Sequence, residues 1–164
     1  MDFRLSDDQR MLGETLERFL RDNYPLDKRH EIAASDDGFS REMWAQFAEL
    51  GVIGALFDEE SGGFGGSGTD LTVVFEALGR ALVVEPFLPT LLGGSLLASQ
   101  GSAEQVAALE EIIAGAKMIA FAHGEPDSRY ELEQVSTKAE EAGGKWKITG
   151  AKSVVLGGAS SDLL

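Results

Sequence analysis

At 164 residues the chain has room for one domain, or one and part of another. It carries 28 Asp and Glu against 14 Lys and Arg, a net charge of −14 with a pI near 4.4, so phosphate-rich surfaces of nucleic acid or membrane would repel it. With no cysteine, and with His30 and His123 lying 93 positions apart, disulfide frameworks, thiol chemistry and the common zinc patterns are excluded.

The first residues lead into Asp7-Asp8 rather than into the apolar run of a signal peptide. The longest charge-free stretch, residues 86–103, is interrupted by two prolines and three glycines and is too short and broken for a membrane span. The expectation is a soluble, cytoplasmic protein.

Ser6-Asp7-Asp8-Gln9 reads as a capping box, after which Leu12, Leu16, Phe19 and Leu20 recur at helical spacing until Pro25. Ser40 caps a second helix with Met43, Phe47 and Leu50 on one stripe, closed by Gly51. A third helix follows Thr69-Asp70, with Leu71, Val74, Phe75, Leu78 and Leu82 facing one way. After Pro89 comes an apolar helix through Leu91, Leu92, Leu96 and Leu97, stopped at Gly101. Ser102 and Gln105 form another capping box and open a fifth helix, with Val106, Leu109, Ile112 and Ile113 inward and Gly115 at its end.

Near residue 117 the period changes. Residues 118–122 are a short apolar run, and Val135, Thr137 and Ala139 alternate with polar neighbours. Ala142-Gly143-Gly144 reads as a hairpin turn, Trp146 and Ile148 alternate on the return, and residues 153–156 read as one more strand. The predicted fold class is therefore α+β: an all-α helical bundle at 1–116, followed at 117–164 by the beginning of a β domain. So short a β part rarely buries enough surface to stand alone, which predicts that the chain is a piece of a larger protein.

Several chemical motifs can be weighed directly. Residues 63–68 match GxGxxG, the apolar stretch 52–57 could be a preceding strand, and Glu85 stands where a ribose-binding acid would. Asp58, Glu59 and Glu60 intervene between that stretch and the glycines, which is wrong for a pyrophosphate, and no Lys-Ser/Thr follows for a P-loop. The expected role is a glycine turn between two helices. Glu59/Glu60 and Glu110/Glu111 read as solvated faces, His30 as a surface residue, and His123 as a hydrogen-bonded structural histidine. No serine has a Gly-x-Ser-x-Gly context.

Taken together, Leu50-Gly51-Val52-Ile53-Gly54, residues 59–65 (EESGGFG) and Glu76-Ala77-Leu78-Gly79-Arg80 resemble the N-terminal helical domain of the acyl-CoA dehydrogenase family. Residues 145–152 (KWKITGAK) resemble that family's hairpin, and Ala159-Ser160-Ser161-Asp162 its strand-ending Ala-Asp. Phe121-Ala122-His123, residues 127–131 and residues 154–158 are most similar to the small subunit of pimeloyl-CoA-dehydrogenase-like enzymes.

The resemblance implies a helical domain, a middle antiparallel β-barrel and a C-terminal four-helix bundle, with FAD bound beside an acyl-CoA thioester. It also implies α,β-desaturation in fatty acid metabolism, reoxidation by an electron-transfer flavoprotein, and a homo- or heterotetramer. A positioned glutamate takes the α-proton while the flavin accepts a hydride. That glutamate belongs to the C-terminal bundle, so no catalytic residue is assigned here, no metal ligand is named, and this fragment alone is expected to be inactive.

For the cofactor, the resemblance points to Phe121, His123, Gly124, Val154 and Leu156; for the acyl chain, to Pro86, Leu88, Pro89 and Leu92. The family's Thr-Glu-Pro-x-x-Gly-Ser-Asp loop is only partly kept. Glu125-Pro126 remain, Gly124 replaces the threonine, and Arg129-Tyr130-Glu131 replace Gly-Ser-Asp. Val154 and Leu156 stand where the family has Trp and Thr. The bulk of Tyr130 is expected to weaken flavin binding. An alternative role follows: a non-catalytic accessory subunit that completes the site of a heteromeric dehydrogenase.

Overall fold

The computed structural model describes residues 4–164. Its helices are α1 (Asp7–Asn23), α2 (Leu26–Ala33), α3 (Arg41–Glu49), α4 (Gly68–Arg80), α5 (Phe87–Gln100) and α6 (Ala103–Ile113), with a 3-10 turn at Gly54–Leu56. A two-stranded antiparallel sheet of β1 (Lys138–Ala142) and β2 (Lys145–Thr149) follows. The α+β order expected from the change in period is present. Among the described residues, no helix is long and apolar enough to cross a membrane.

Both predicted capping boxes form, at Ser6/Gln9 and Ser102/Gln105, and Ser40 accepts from the Met43 amide. A further box, Ser67/Asp70, starts α4 one turn earlier than the Thr69-Asp70 signal suggested. The boxes of α1 and α4 are joined, because Gln9 Nε2 donates to Asp70 Oδ1 at 2.8 Å.

Two helix expectations need correction. Among the described residues there are six helices rather than five, because Pro25 ends α1 and also serves as N-cap of the short α2. Helix α5 begins at Phe87, ahead of Pro89, since a proline in the first turn removes only an amide that has no intrahelical partner.

The core is aromatic. Phe47 is fully buried between Phe19 and Phe87 in edge-to-face contacts at 5.5 and 5.1 Å, and Trp44 meets Phe87 at 5.0 Å. Burial of each such ring contributes about 2–3 kcal/mol, with roughly 0.5–1.5 kcal/mol more for each ring pair. These rings tie α1, α3 and α5 into one body.

In the β part, Gly143 and Gly144 both take positive φ, 61° and 76°, which closes a two-residue hairpin of the type whose twist matches the strands. Ala139 pairs with Ile148 and Glu141 with Trp146 on one face, while Glu140 opposes Lys147 on the other. Strand β1 starts at Lys138, later than the alternation from Val135 predicted, because the amides of Ser136 and Thr137 donate to the Glu125 carboxylate instead of to a strand. Residues 118–122 form only a single parallel bridge, Ile119 to Leu163, held by the Met118 amide on Asp162 Oδ2 at 2.8 Å. The strand expected at 153–156 is absent. Val154 has φ of 54°, and the chain turns there to pack Gly157 against Pro86 and Pro89.

Candidate functional site

The glycine run makes no phosphate cradle. Its amides are spent on the protein's own backbone: Gly63 donates to Asp58 O at 2.8 Å, Gly65 to Phe57 O at 2.9 Å and Gly66 to Ala55 O at 3.0 Å. A Cβ at Gly63 would collide with the carbonyls of Phe57 and Gly54, and one at Gly65 with that of Ala55. Residues 52–57 are a buried turn with a 3-10 segment, not a strand. The glycines are there so that two stretches of backbone can touch.

Glu85 is likewise no ribose ligand. It is 6% exposed, accepts from the Tyr24 hydroxyl at 2.8 Å, and accepts from the Ser40 amide at 3.2 Å. Burial pushes its carboxyl above the usual range despite these donors, and burial also pushes the Tyr24 phenol up.

A second buried carboxyl lies in the β part. Glu125, also 6% exposed, accepts from the Ser136 amide at 2.6 Å, the Thr137 amide at 3.1 Å and Lys152 Nζ at 2.9 Å. Thr137, the Lys152 ammonium and the Ser136 amide hold this carboxyl down at about 2. Lys152 also donates to His123 O at 3.2 Å, and the Ser153 amide to Gly124 O at 2.9 Å. Ser128 Oγ closes the turn, receiving the Glu125 amide and donating to its carbonyl. Three stretches of chain, 123–128, 136–137 and 152–153, meet at Glu125.

Beside this cluster, between α5 and the β part, runs a largely apolar cleft of about 790 Å³. Leu96, Leu97, Ile119, Phe121 and Val155 wall it, and Lys152 forms part of its lining. A smaller cleft of about 330 Å³ is lined by Pro86, Leu88, Pro89, Phe39 and Leu156, with Glu85 at its base.

The residues picked from the family resemblance therefore divide. Phe121 and Val154 line the larger cleft, whereas Leu156 lines the smaller one with Pro86, Leu88 and Pro89. Leu92, on α5, is 44% exposed and lines neither cleft. His123 presents its backbone: its carbonyl takes Lys152, its amide donates to Phe121 O, and its ring stacks on Phe121 at 5.5 Å. Among the described residues that ring makes no hydrogen bond, so stacking replaces the expected one. The Gly124 amide has no protein partner among them either. His30 is exposed, as are Glu59, Glu60, Glu110 and Glu111. Tyr130 is 97% exposed and lines neither cleft, so its bulk obstructs nothing there.

The Glu125–Lys152 pair, Thr137 and Gly150 were not singled out as site residues. The signal was present: Glu125-Pro126 are kept in the first β motif, and Gly150 and Lys152 belong to the hairpin motif at residues 145–152. Gly150 is needed because a Cβ there would collide with the Thr137 side chain.

Comparison with known proteins gives this arrangement its kinship. The profile of the acyl-CoA dehydrogenase N-terminal domain matches residues 6–116. The chain belongs to the acyl-CoA dehydrogenase family. Acyl-CoA dehydrogenase FadE12 of Mycobacterium tuberculosis is 33% identical over 140 residues, covering 82% of this chain and 34% of the relative. The Tcur3481-Tcur3483 steroid acyl-CoA dehydrogenase structure superposes with a TM-score of 0.77 at 25% identity, covering 99% of this chain and 44% of that one. PigA, solved with FAD and proline, superposes with a TM-score of 0.77 at 26% identity over 94% of this chain and 42% of its own. The chain thus spans less than half the length of these relatives. They match both the helical part and the start of the β part.

The family is one of FAD-dependent oxidoreductases, and the larger cleft is compatible with a flat ring system. Its walls are largely apolar side chains, and Gly93, Gly150 and Gly158 let Ile119, Thr137 and Val155 close directly on the backbone. Its lining holds one cation, Lys152, already shared between Glu125 and His123 O. These residues suit an aromatic ring, and they offer no unspent cation to a pyrophosphate.

Proposed function

We propose that this chain is the N-terminal part, or a short subunit, of an FAD-dependent acyl-CoA dehydrogenase. Residues 1–116 serve as its helical domain and residues 117–164 open its β domain. Phe121 and Val154 contact the flavin ring, the Gly124 amide faces its polar edge while the backbone groups of His123 are spent on Phe121 and Lys152, and Leu156 borders the acyl side. Pro86, Leu88, Pro89 and Leu92 guide the acyl chain along α5. Bound FAD supplies the hydride acceptor for α,β-desaturation of the thioester. This chain's own residues bind and orient, and they exclude water from an apolar cleft. No catalytic base is assigned to it. The observation that carries the reading is the 790 Å³ apolar cleft at the junction of α5 with the β part.

An accessory-subunit reading is favoured by a separate observation. Val154 is 92% exposed, Leu164 78% and Ile148 73%, although all three line the cleft. Such apolar surface suits completion by another polypeptide, and the Tcur3481-Tcur3483 relative is named as two proteins. An electron-transfer flavoprotein is then the partner for reoxidation, and the assembly a homo- or hetero-oligomer.

The test is titration of the purified chain with FAD, followed by flavin fluorescence quenching and visible absorbance, alone and then with the neighbouring subunit. Uptake by the isolated chain supports the first reading, and uptake only with the partner supports the second. Absence of flavin in both preparations overturns both.

A further inference from the structure

We propose that Glu125 and Lys152 are a positioning pair that sets the gap of the larger cleft, and through it the hold on a flavin ring. The proposal rests on the flavin reading above. Neither residue comes from the set inferred for cofactor contact, and Glu125 does not line the cleft at all.

The geometry is that of a clamp. One wall of the cleft is the stretch through Ile119, Phe121 and Ala122; another is the hairpin side with Thr137, Ile148 and Gly150. Glu125 follows directly on the first wall and grips the base of the second through the Ser136 and Thr137 amides. Lys152, on the irregular segment leaving the hairpin, returns to Glu125 Oε1 and to His123 O. The Ser153 amide on Gly124 O adds a third tie between the same two stretches. Hydrogen bonds across β1 and β2 hold the hairpin to itself, but they do not fix its distance from residues 119–124.

The charges matter as well as the bonds. A carboxylate 6% exposed that lost its cation would keep two amide donors and an uncompensated charge, and would draw water towards the cleft. Lys152, its side chain 27% exposed, lines the cleft while its ammonium is held by Glu125 and His123 O. The pair is thus anchored at its charged end, at the border of the cleft.

The test is an FAD titration of four proteins under the condition in which the parent takes up flavin: parent, Lys152→Met, Glu125→Gln and the double variant. Lys152→Arg is added as the charge-conserving control. Each single change is expected to weaken FAD binding about tenfold, and the double variant is expected to be no worse than the weaker single, as for residues acting as a unit. Lys152→Arg is expected to recover most of the loss. Amide exchange at residues 146–148, inside the hairpin, should stay at parental rates, which separates loss of position from loss of fold. Parental affinity in Lys152→Met, additive losses in the double variant, or an Arg variant no better than Met would each overturn the proposal. A parent that takes up no flavin alone or with its partner would instead overturn the flavin reading and this proposal with it.

Discussion

The Tyr24 hydroxyl and the Glu85 carboxyl, 61 positions apart, meet at 2.8 Å inside the helical part, and Tyr24 Oη also receives the Val84 amide at 3.3 Å. One phenol thus joins the end of α1 to the segment that enters α5, while the other oxygen of Glu85 holds the Ser40 cap of α3. Tyr24→Phe removes a donor and an acceptor from a buried site and leaves their partners unpaired. The expected cost is about 1–3 kcal/mol of stability, read from urea denaturation of parent and variant.

Glu85 itself sets a pH dependence. Its carboxyl is raised by burial, so its folded pKa lies above its unfolded one. The stability linked to it is present below the ordinary carboxylate range and is lost as pH rises through the raised value. Glu85→Gln should flatten that decline, because an amide cannot ionise. Melting temperatures across the acid-to-neutral range test this: an unchanged slope in the variant would assign the decline to other groups.

The glycines separate into those required by contact and those that are not. Gly63→Ala places a methyl group against the Phe57 and Gly54 carbonyls and is expected to destabilise by about 1–3 kcal/mol. Gly79, exposed near the end of α4 with nothing near its missing Cβ, should gain about 0.5–1 kcal/mol on replacement by Ala. Denaturation midpoints of the two variants should move in opposite directions. NAD titration of the parent should show no binding, since the loop amides are already occupied.

This contrast shows what could be read in advance. The capping boxes at Ser6 and Ser102, the apolar stripes of α1, α3 and α6 and the Gly143-Gly144 turn depend on neighbours within a few residues, and each was legible. So was the poor fit of the glycine run to a pyrophosphate. By contrast, Leu82 lies exposed beyond α4, and α5 buries Thr90, Gly93 and Gly94 rather than Leu92 and Leu96. The destination of Glu85 was not legible, because it depends on Tyr24 and Ser40 arriving from distant stretches. The 153–156 segment was misread for the same reason: its apolar residues suit a strand, but Val154 turns at positive φ to follow the Pro86–Pro89 surface. The cleft needed the fold, since its walls come from α5, residues 119–122 and the hairpin.

Tyr130 carries a prediction opposite to the one its position in the family motif suggested. In the loop it points to solvent, 97% exposed, with the preceding Arg129 at φ of 48°. Tyr130→Ser should leave flavin affinity within about twofold of the parent, the scale of an exposed substitution away from any contact. Tighter flavin binding in the variant would show that the tyrosine does reach the ring.

The lowered pKa of Glu125 makes the β part sensitive to acid. Its folded value, about 2, lies below its ordinary 4.5, so its contribution is fully present above about 4.5 and is lost as pH falls towards 2. Protonation weakens the hold on Lys152 and on the Ser136 and Thr137 amides while leaving the aromatic core around Phe47 untouched. The amide resonances of Ser136 and Thr137 should therefore shift through this window, ahead of any loss of far-UV helical signal. In Glu125→Gln the same resonances should be insensitive to pH there. If they titrate identically in both proteins, another group governs them.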